Sequence, residues 1–312
     1  MFALREITVS LTCFVLLYCL LSALVAMVWR PLKLLHVAQQ SVAALLFGLR
    51  ILPLLASVIV TFALVVPSFQ RLEPRSNNEA MGIVPLALGV CALLLIAYGC
   101  FSVIAAELRS TRVIARWLQD ARPLEAHAGF PFAFQSRSDA PPLTLLGVRK
   151  PKILVSESTV SLLSHDELHI ALKHELQHMK SRDNLKKLIF RCCPFPGMAK
   201  LESSWSEASE LAADDAAVSN QSDAVDLAAA LIKLSRPVPL EALPVCSVGF
   251  VAGSLIRRVG LLLTWDEASK ARRVHIRTWF AVPFLVAGSL LVAVAYGPVL
   301  AFTHEFTEWL KW

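Results

Sequence analysis

Residues 164–183 read SHDELHIALKHELQHMKSRD, and this stretch decides the fold of the part of the chain that carries chemistry. Ser164 followed three residues later by Glu167 is the signature of a helix N-terminus, in which each side chain satisfies a backbone N–H of the other. Leu168, Ala171, Leu172, Leu176 and Met179 then recur at helical spacing and define a face turned toward a core. His174 and His178 are four residues apart, so both imidazoles lie one above the other and can reach one ion. Glu175 adjoins His174, beside such an ion but not on it, where it can take a proton from an attacking water. Glu175 also falls within the apolar stripe, and a carboxylate there needs compensation that a neighbouring cation supplies. The competing reading is a solvated helix that happens to spell HExxH.

A zinc hydrolase needs a third ligand and an open coordination position. Residues 206–214 read SEASELAAD. Glu210 and Asp214 are four apart on one helix face, which makes Glu210 the expected ligand. Asp214 is expected to hold a ligand histidine through its second ring nitrogen. Glu207 competes for the ligand role, but Ser204 and Glu207 also fit a capping box, so a helix is expected from Ser204 through Val218 and Glu207 has a sufficient role as its cap. A further amphipathic helix is expected over residues 223–235. Upstream, PPLTLLGVRKPKILVSES at residues 141–158 predicts a β-hairpin. Its strands would be Thr144–Val148 and Ile153–Val155, joined by Arg149, Lys150 and Pro151, with a short third strand over Phe130–Gln135. The fold class expected is therefore α+β.

The rest of the chain is of another kind. Of 312 residues, 56% are hydrophobic and only 17% charged, which excludes an ordinary water-soluble enzyme and a disordered chain. Runs without any charge occupy residues 7–29, 80–106 and 278–303, each long enough to cross a bilayer as a helix. A fourth candidate, residues 41–67, is interrupted by Arg50, which is expected to snorkel toward the interface. The first run lacks a basic leader and a small-residue cleavage site, and reads as a retained anchor. The net charge of +6 concentrates near span ends. Arg30, Lys33, Arg109, Arg112, Arg116 and the basic residues from Arg257 to Arg277 outnumber Arg71 and Arg75, which places residues 30–40 and 108–277 in the cytoplasm and both termini outside. The expected domains are a membrane region, 1–107, with three spans, a cytoplasmic metallopeptidase domain, 108–277, and a fourth span with a short outer tail, 278–312.

Cys13, Cys19, Cys91 and Cys100 fall in spans, and Cys192, Cys193 and Cys246 in the cytoplasmic part, so no disulfide framework is implied. The dibasic pairs Arg257-Arg258 and Arg272-Arg273 are read as membrane-proximal anchors, with self-cleavage as the alternative. Direct nucleic-acid binding is not expected, as no basic-aromatic motif is present. Tyr18, Tyr98 and Tyr296 lie in predicted spans, which leaves His127, His165, His169 or an arginine to stabilise an oxyanion.

HELQH, then Arg182-Asp183, then SELAADDAAV at residues 209–218, together with the lead-in KPKILVSESTVSLLSHDELH and the order of spans, resembles the membrane-embedded zinc metallopeptidases of the beta-lactam sensor-transducer (BlaR/MecR-type, antirepressor) family. The resemblance covers most of the chain. It implies a gluzincin-type domain in the bacterial cytoplasmic membrane, one zinc ion on His174, His178 and Glu210, Glu175 as catalytic base, and Asp183 and Asp214 as supporting carboxylates. It also implies a polypeptide substrate, with a winged-helix transcriptional repressor as the partner that signalling inactivates. The best-known members continue into a penicillin-binding sensor domain, which this sequence, ending nine residues after its last predicted span, is expected to lack. Two other functions fit the same motifs: a housekeeping membrane protease of the prenyl-protein or heat-shock type, and a non-catalytic transducer in which zinc shapes a docking surface.

Overall fold

In the computed structural model the described residues are 2–29, 37–74, 81–124, 129–136, 140–192, 194–235, 252–267 and 295–309. Three long apolar helices dominate: α1 (Phe2–Val28), α2 (Gln39–Leu72) and α3 (Ile83–Leu118), of 27, 34 and 36 residues. At about 1.5 Å per residue each exceeds the roughly 30 Å of a bilayer's hydrocarbon layer. Leu52, Leu55, Ile59 and Phe62 on α2 and Leu93, Leu94, Phe101 and Ile104 on α3 are exposed. Such faces suit lipid, while helical backbone bonding satisfies the main chain. Between helices apolar side chains such as Phe14, Val15 and Phe69 pack together, and small and hydroxylated residues allow close approach at particular points. Thr12 Oγ1 donates to Pro85 O at 2.9 Å, and Gly99 lets α3 approach the main chain at Cys192 so closely that a Cβ there would lie 2.5 Å from the carbonyl oxygen. These three helices match three of the predicted spans. The fourth, 278–303, lies outside the described residues as far as residue 294.

α3 leads directly into a four-stranded sheet, β1 (Arg122–Pro123), β2 (Ala133–Ser136), β3 (Leu143–Leu146) and β4 (Lys152–Ser156), in the order β1-β2-β4-β3. The hairpin forms as expected, β3 pairing antiparallel with β4 so that Leu145 faces Ile153. It closes earlier than predicted because Gly147, at φ +86°, leaves the strand. The third strand, β2, begins at Ala133 rather than Phe130 and runs parallel to β4. β1 was not anticipated, since two residues carry no readable alternation.

A short helix α4 (Glu157–Leu162) precedes α5 (His165–Ser181), the HELQH helix. The capping box is present: Glu167 N donates to Ser164 Oγ at 3.2 Å and Ser164 N to Glu167 Oε2 at 2.8 Å. Leu168, Ala171 and Leu172 pack with Leu145, Ile153 and Val155, and Leu176 and Met179 flank them, so the predicted stripe is the face laid on the sheet. Arg182, in the left-handed region at φ 54°, ends α5. The chain then turns into an unanticipated helix α6 (Asp183–Cys192). Asn184 Nδ2 donates to Leu145 O and Gly147 O, tying α6 to the hairpin.

α7 (Ala199–Ala217) starts five residues before the predicted Ser204. Leu201, Trp205 and Ala208, at helical spacing, are buried against Val25, Trp29, Ala43 and Leu46 of the membrane helices, and this packing extends the helix backward past its local start signal. Ser204 is therefore buried mid-helix and Glu207 caps nothing. Arg50 is corrected as well. It is buried, its Nε donating to Glu202 Oε1 at 2.8 Å and its Nη2 to Phe190 O at 3.2 Å, so it joins α2 to α6 and α7 rather than snorkelling.

α8 (Gln221–Leu234) and α9 (Ala252–Leu263) close the domain over Ile170, Ala217 and Val218. Lys233 of α8 binds Glu167 through both carboxylate oxygens, at 2.7 and 2.8 Å. Burial alone raises the Glu167 pKa, but Lys233 and the Ser164 N–H outweigh it and hold the carboxyl below its ordinary value. Glu167→Ala is expected to destabilise the fold by about 1 kcal/mol, the usual worth of a cap. Because the folded-state pKa is depressed, that contribution is present above the unfolded-state pKa and lost as pH falls through the folded one. Thermal unfolding of both proteins in detergent should show a gap near neutrality that closes in acid.

Candidate metal centre

α5 presents His174 and His178 on one face, and α7 crosses it with Glu210 and Asp214, again four residues apart. All four side chains are buried. The two imidazole Nε2 atoms are 3.1 Å apart. Glu210 Oε2 lies 3.5 Å from His174 Nε2, and its Oε1 lies 3.6 Å from His178 Nε2. A tetrahedral zinc ion with bonds of about 2.0–2.1 Å holds its donor atoms roughly 3.3 Å apart, so the three groups are close enough to share one ion.

The outward nitrogens are held too. His178 Nδ1 is 2.7 Å from Asp183 Oδ2, and His174 Nδ1 is 2.9 Å from Asp214 Oδ1, an ion-pair contact without hydrogen-bond alignment. The left-handed turn at Arg182 brings Asp183 back beneath His178. Ser209 Oγ donates to the same Asp183 oxygen at 2.6 Å, and Lys186 Nζ donates to the other at 3.0 Å. The Asp183 carboxylate on the far nitrogen of His178 favours the tautomer that turns Nε2 toward a metal, and Asp214 stands beside the corresponding nitrogen of His174.

Arg258 of α9 joins the site with no motif to announce it in the sequence. It is buried, its Nε and Nη2 each donating to Asp214 at 2.7 Å and its Nη1 to Glu210 Oε2 at 2.9 Å. The dibasic pair is thus divided. Arg258 belongs to the metal centre and is neither an anchor nor an accessible cleavage site, while Arg257 pairs with Glu207. Arg272-Arg273 lies outside the described residues. The overlooked signal was the position of Arg258 on the stripe of Leu255, Val259 and Leu262, the face α9 lays on α8. Glu207, bound to Arg257, has no part in the metal centre.

Burial penalises every charge here, raising carboxyl pKa values and lowering those of the imidazoles and guanidinium, yet mutual attraction prevails at each group. Glu210 is held well below its ordinary range by the histidines and Arg258, and Asp214 is held down chiefly by Arg258. Asp183 is lowered chiefly by His178. His178 is pushed up to about 10 by Glu210 and Asp183, and His174 is raised by Asp214 and Glu210. Arg258 is held above its usual value by the same acids. Glu175 is half-buried beside His174, and its charge acts on both His178 and Arg258.

Of the groups expected to stabilise an oxyanion, an arginine, Arg258, is present, but it is held by Asp214 and Glu210. His165 is exposed at the start of α5, and His169 stacks edge-on against Phe130 at 5.4 Å. His127 lies outside the described residues. Tyr18 is turned to Pro194 O, at 3.2 Å.

Fold and site together define a class: a chain with three helices long and apolar enough to cross a membrane, in which two histidines and a glutamate lie close enough to hold a metal ion. Within that class, the family model described as BlaR1 peptidase M56 matches residues 17–262, and the chain belongs to that family of membrane metallopeptidases. No curated protein matches it.

Proposed function

We propose that the chain is an integral-membrane zinc metalloendopeptidase of gluzincin type. His174, His178 and Glu210 are the ligands, Glu175 is the general base, and Asp183 and Asp214 hold the two imidazoles. The observation that carries this reading is the convergence of both Nε2 atoms and the Glu210 carboxylate within 3.6 Å. Zinc bound there supplies a Lewis acid for the scissile carbonyl and lowers the pKa of water. Glu175 accepts the proton of the attacking water and passes it to the leaving amine. Arg258 fixes Glu210 and Asp214 in place. β3, an edge strand of the sheet, is the one an extended substrate joins, ahead of the carbonyls that Asn184 occupies.

Residues 108–277 form the cytoplasmic peptidase domain, between the three spans of residues 1–107 and a fourth span in 278–312. The basic residues that flank the spans support that orientation. Family membership and the resemblance to antirepressors support a signalling role in the bacterial cytoplasmic membrane, with a winged-helix repressor inactivated by cleavage.

The ligand set is tested by zinc binding to the detergent-solubilised chain. Glu210→Ala is expected to weaken the ion at this centre by more than the roughly 10–100-fold typical of losing a supporting group and to stop peptide hydrolysis. Glu207→Ala should retain both. A Glu210→Ala protein that keeps tight zinc and activity overturns the assignment.

A further inference from the structure

A second group of metal-ligating side chains lies far from the first. Val25, Trp29, Ala43 and Leu46 mark the end of the membrane helices that meets α6 and α7. At the other end Val9, Cys13, Val65 and Phe69 pack together, and there Glu73, the residue after α2, meets α10 (Tyr296–Trp309). We propose that Glu73, His304 and Glu308 form a second divalent-metal site, at the end of the helical bundle opposite the HELQH centre.

His304 and Glu308 are four residues apart on α10, the same register that aligns two donors in HELQH. His304 Nε2 lies 4.0 Å from Glu73 Oε2 and 3.9 Å from Glu308 Oε1, and one donor atom from each residue lies within 4.8 Å of the others. These separations exceed the roughly 3.3 Å of a zinc-bound set by an amount that small side-chain rotations close. The Glu73 side chain is 1% exposed and that of Glu308 40%, so the site has one fixed acid inside and one mobile acid toward solvent.

α10 is pinned where the site needs it. Pro67 has no N–H to offer Ala63 O, four residues back in the helix, and Tyr296 Oη of α10 donates to that carbonyl at 3.0 Å. The Arg71 guanidinium lies 5.9 Å over the Tyr296 ring. Arg5 approaches the other Glu73 oxygen, Oε1, at 4.0 Å, which leaves Oε2 turned toward His304. One imidazole with two carboxylates suits zinc among the divalent ions. His304 Nδ1 is buried with no hydrogen-bond partner among the described residues, unlike His178 of the first centre, which Asp183 backs at 2.7 Å. The second ion should therefore be the more weakly held, clamping α10 to the end of α2.

The test is zinc stoichiometry on the full chain in detergent, by equilibrium dialysis and elemental analysis, with graded chelation. Wild type should hold two ions, the first stripped being the one absent from both His304→Ala and Glu308→Gln. His174→Ala/His178→Ala should lose only the other ion. A wild-type chain with a single ion, unaffected by His304→Ala and Glu308→Gln, overturns the proposal, and so does a pair of ions that both variants retain. Glu308 is partly exposed, so Glu308→Gln covers the case in which His304→Ala does not fold. A single ion lost with His304→Ala and kept in His174→Ala/His178→Ala supports this site while removing the metallopeptidase reading.

Discussion

Glu175→Gln is expected to lower peptide hydrolysis by about 10²–10⁴-fold, the usual contribution of a positioned acid–base group, while zinc stays bound at the HELQH centre. The amide keeps the size of the carboxylate but cannot take a proton. His174, His178 and Glu210, which meet within 3.6 Å, are untouched by the change. Metal content and turnover of a quenched fluorescent peptide, measured on the same preparation, separate the base from the ligands. Activity within about threefold of wild type would sink the assignment of Glu175. In cells the same variant divides the competing functions: a non-catalytic transducer signals unchanged, a regulatory peptidase falls silent, and a housekeeping protease shows broad loss of membrane-protein turnover.

Arg258→Ala should have the largest effect on stability. The guanidinium donates three hydrogen bonds to two buried acids. Its removal leaves Glu210 and Asp214 buried without their cation, a change that typically costs about 3–5 kcal/mol. Thermal unfolding in detergent should show a large drop, partly restored by zinc, because the ion supplies positive charge to the same carboxylates. Arg258→Lys should recover only part of the loss, since an ammonium cannot span Asp214 and Glu210 with a planar fork. A melting temperature for Arg258→Ala equal to wild type would remove Arg258 from the centre. The arginine also explains why α9 closes over α7 and α8: its apolar face brings Leu255, Val259 and Leu262 to the core and one charge to the site.

Much of this was readable in the chain because the signals are local. The run 164–181 specifies its own helix: Ser164 and Glu167 cap it, the apolar stripe lays it on the sheet, and the four-residue spacing stacks His174 on His178. The charge-free runs 7–29 and 80–106 needed only their length and lack of charge, and the run 41–67 was long and apolar enough to be legible around Arg50. The hairpin followed from two apolar runs around a turn, although Gly147 shortened the first strand.

The errors arose where distant residues decide. The start of α7 is set by burial of Leu201 and Trp205 against the membrane helices, which overrides the local cap signal at Ser204. Arg50 and Arg258 were read as charges seeking water or lipid headgroups, because their partners Glu202, Glu210 and Asp214 lie far along the chain. The sequence by itself determined that a HELQH helix would offer two stacked imidazoles beside a membrane anchor, since helical periodicity and apolar length are properties of neighbouring residues. Spacing already favoured Glu210 over Glu207 and put Asp214 beside it; only the tertiary structure decided that Glu207 turns to Arg257 and that Arg258 lies between the buried acids. A buried charge is stabilised by whichever opposite charge the fold brings within about 3 Å, and that choice is made by packing.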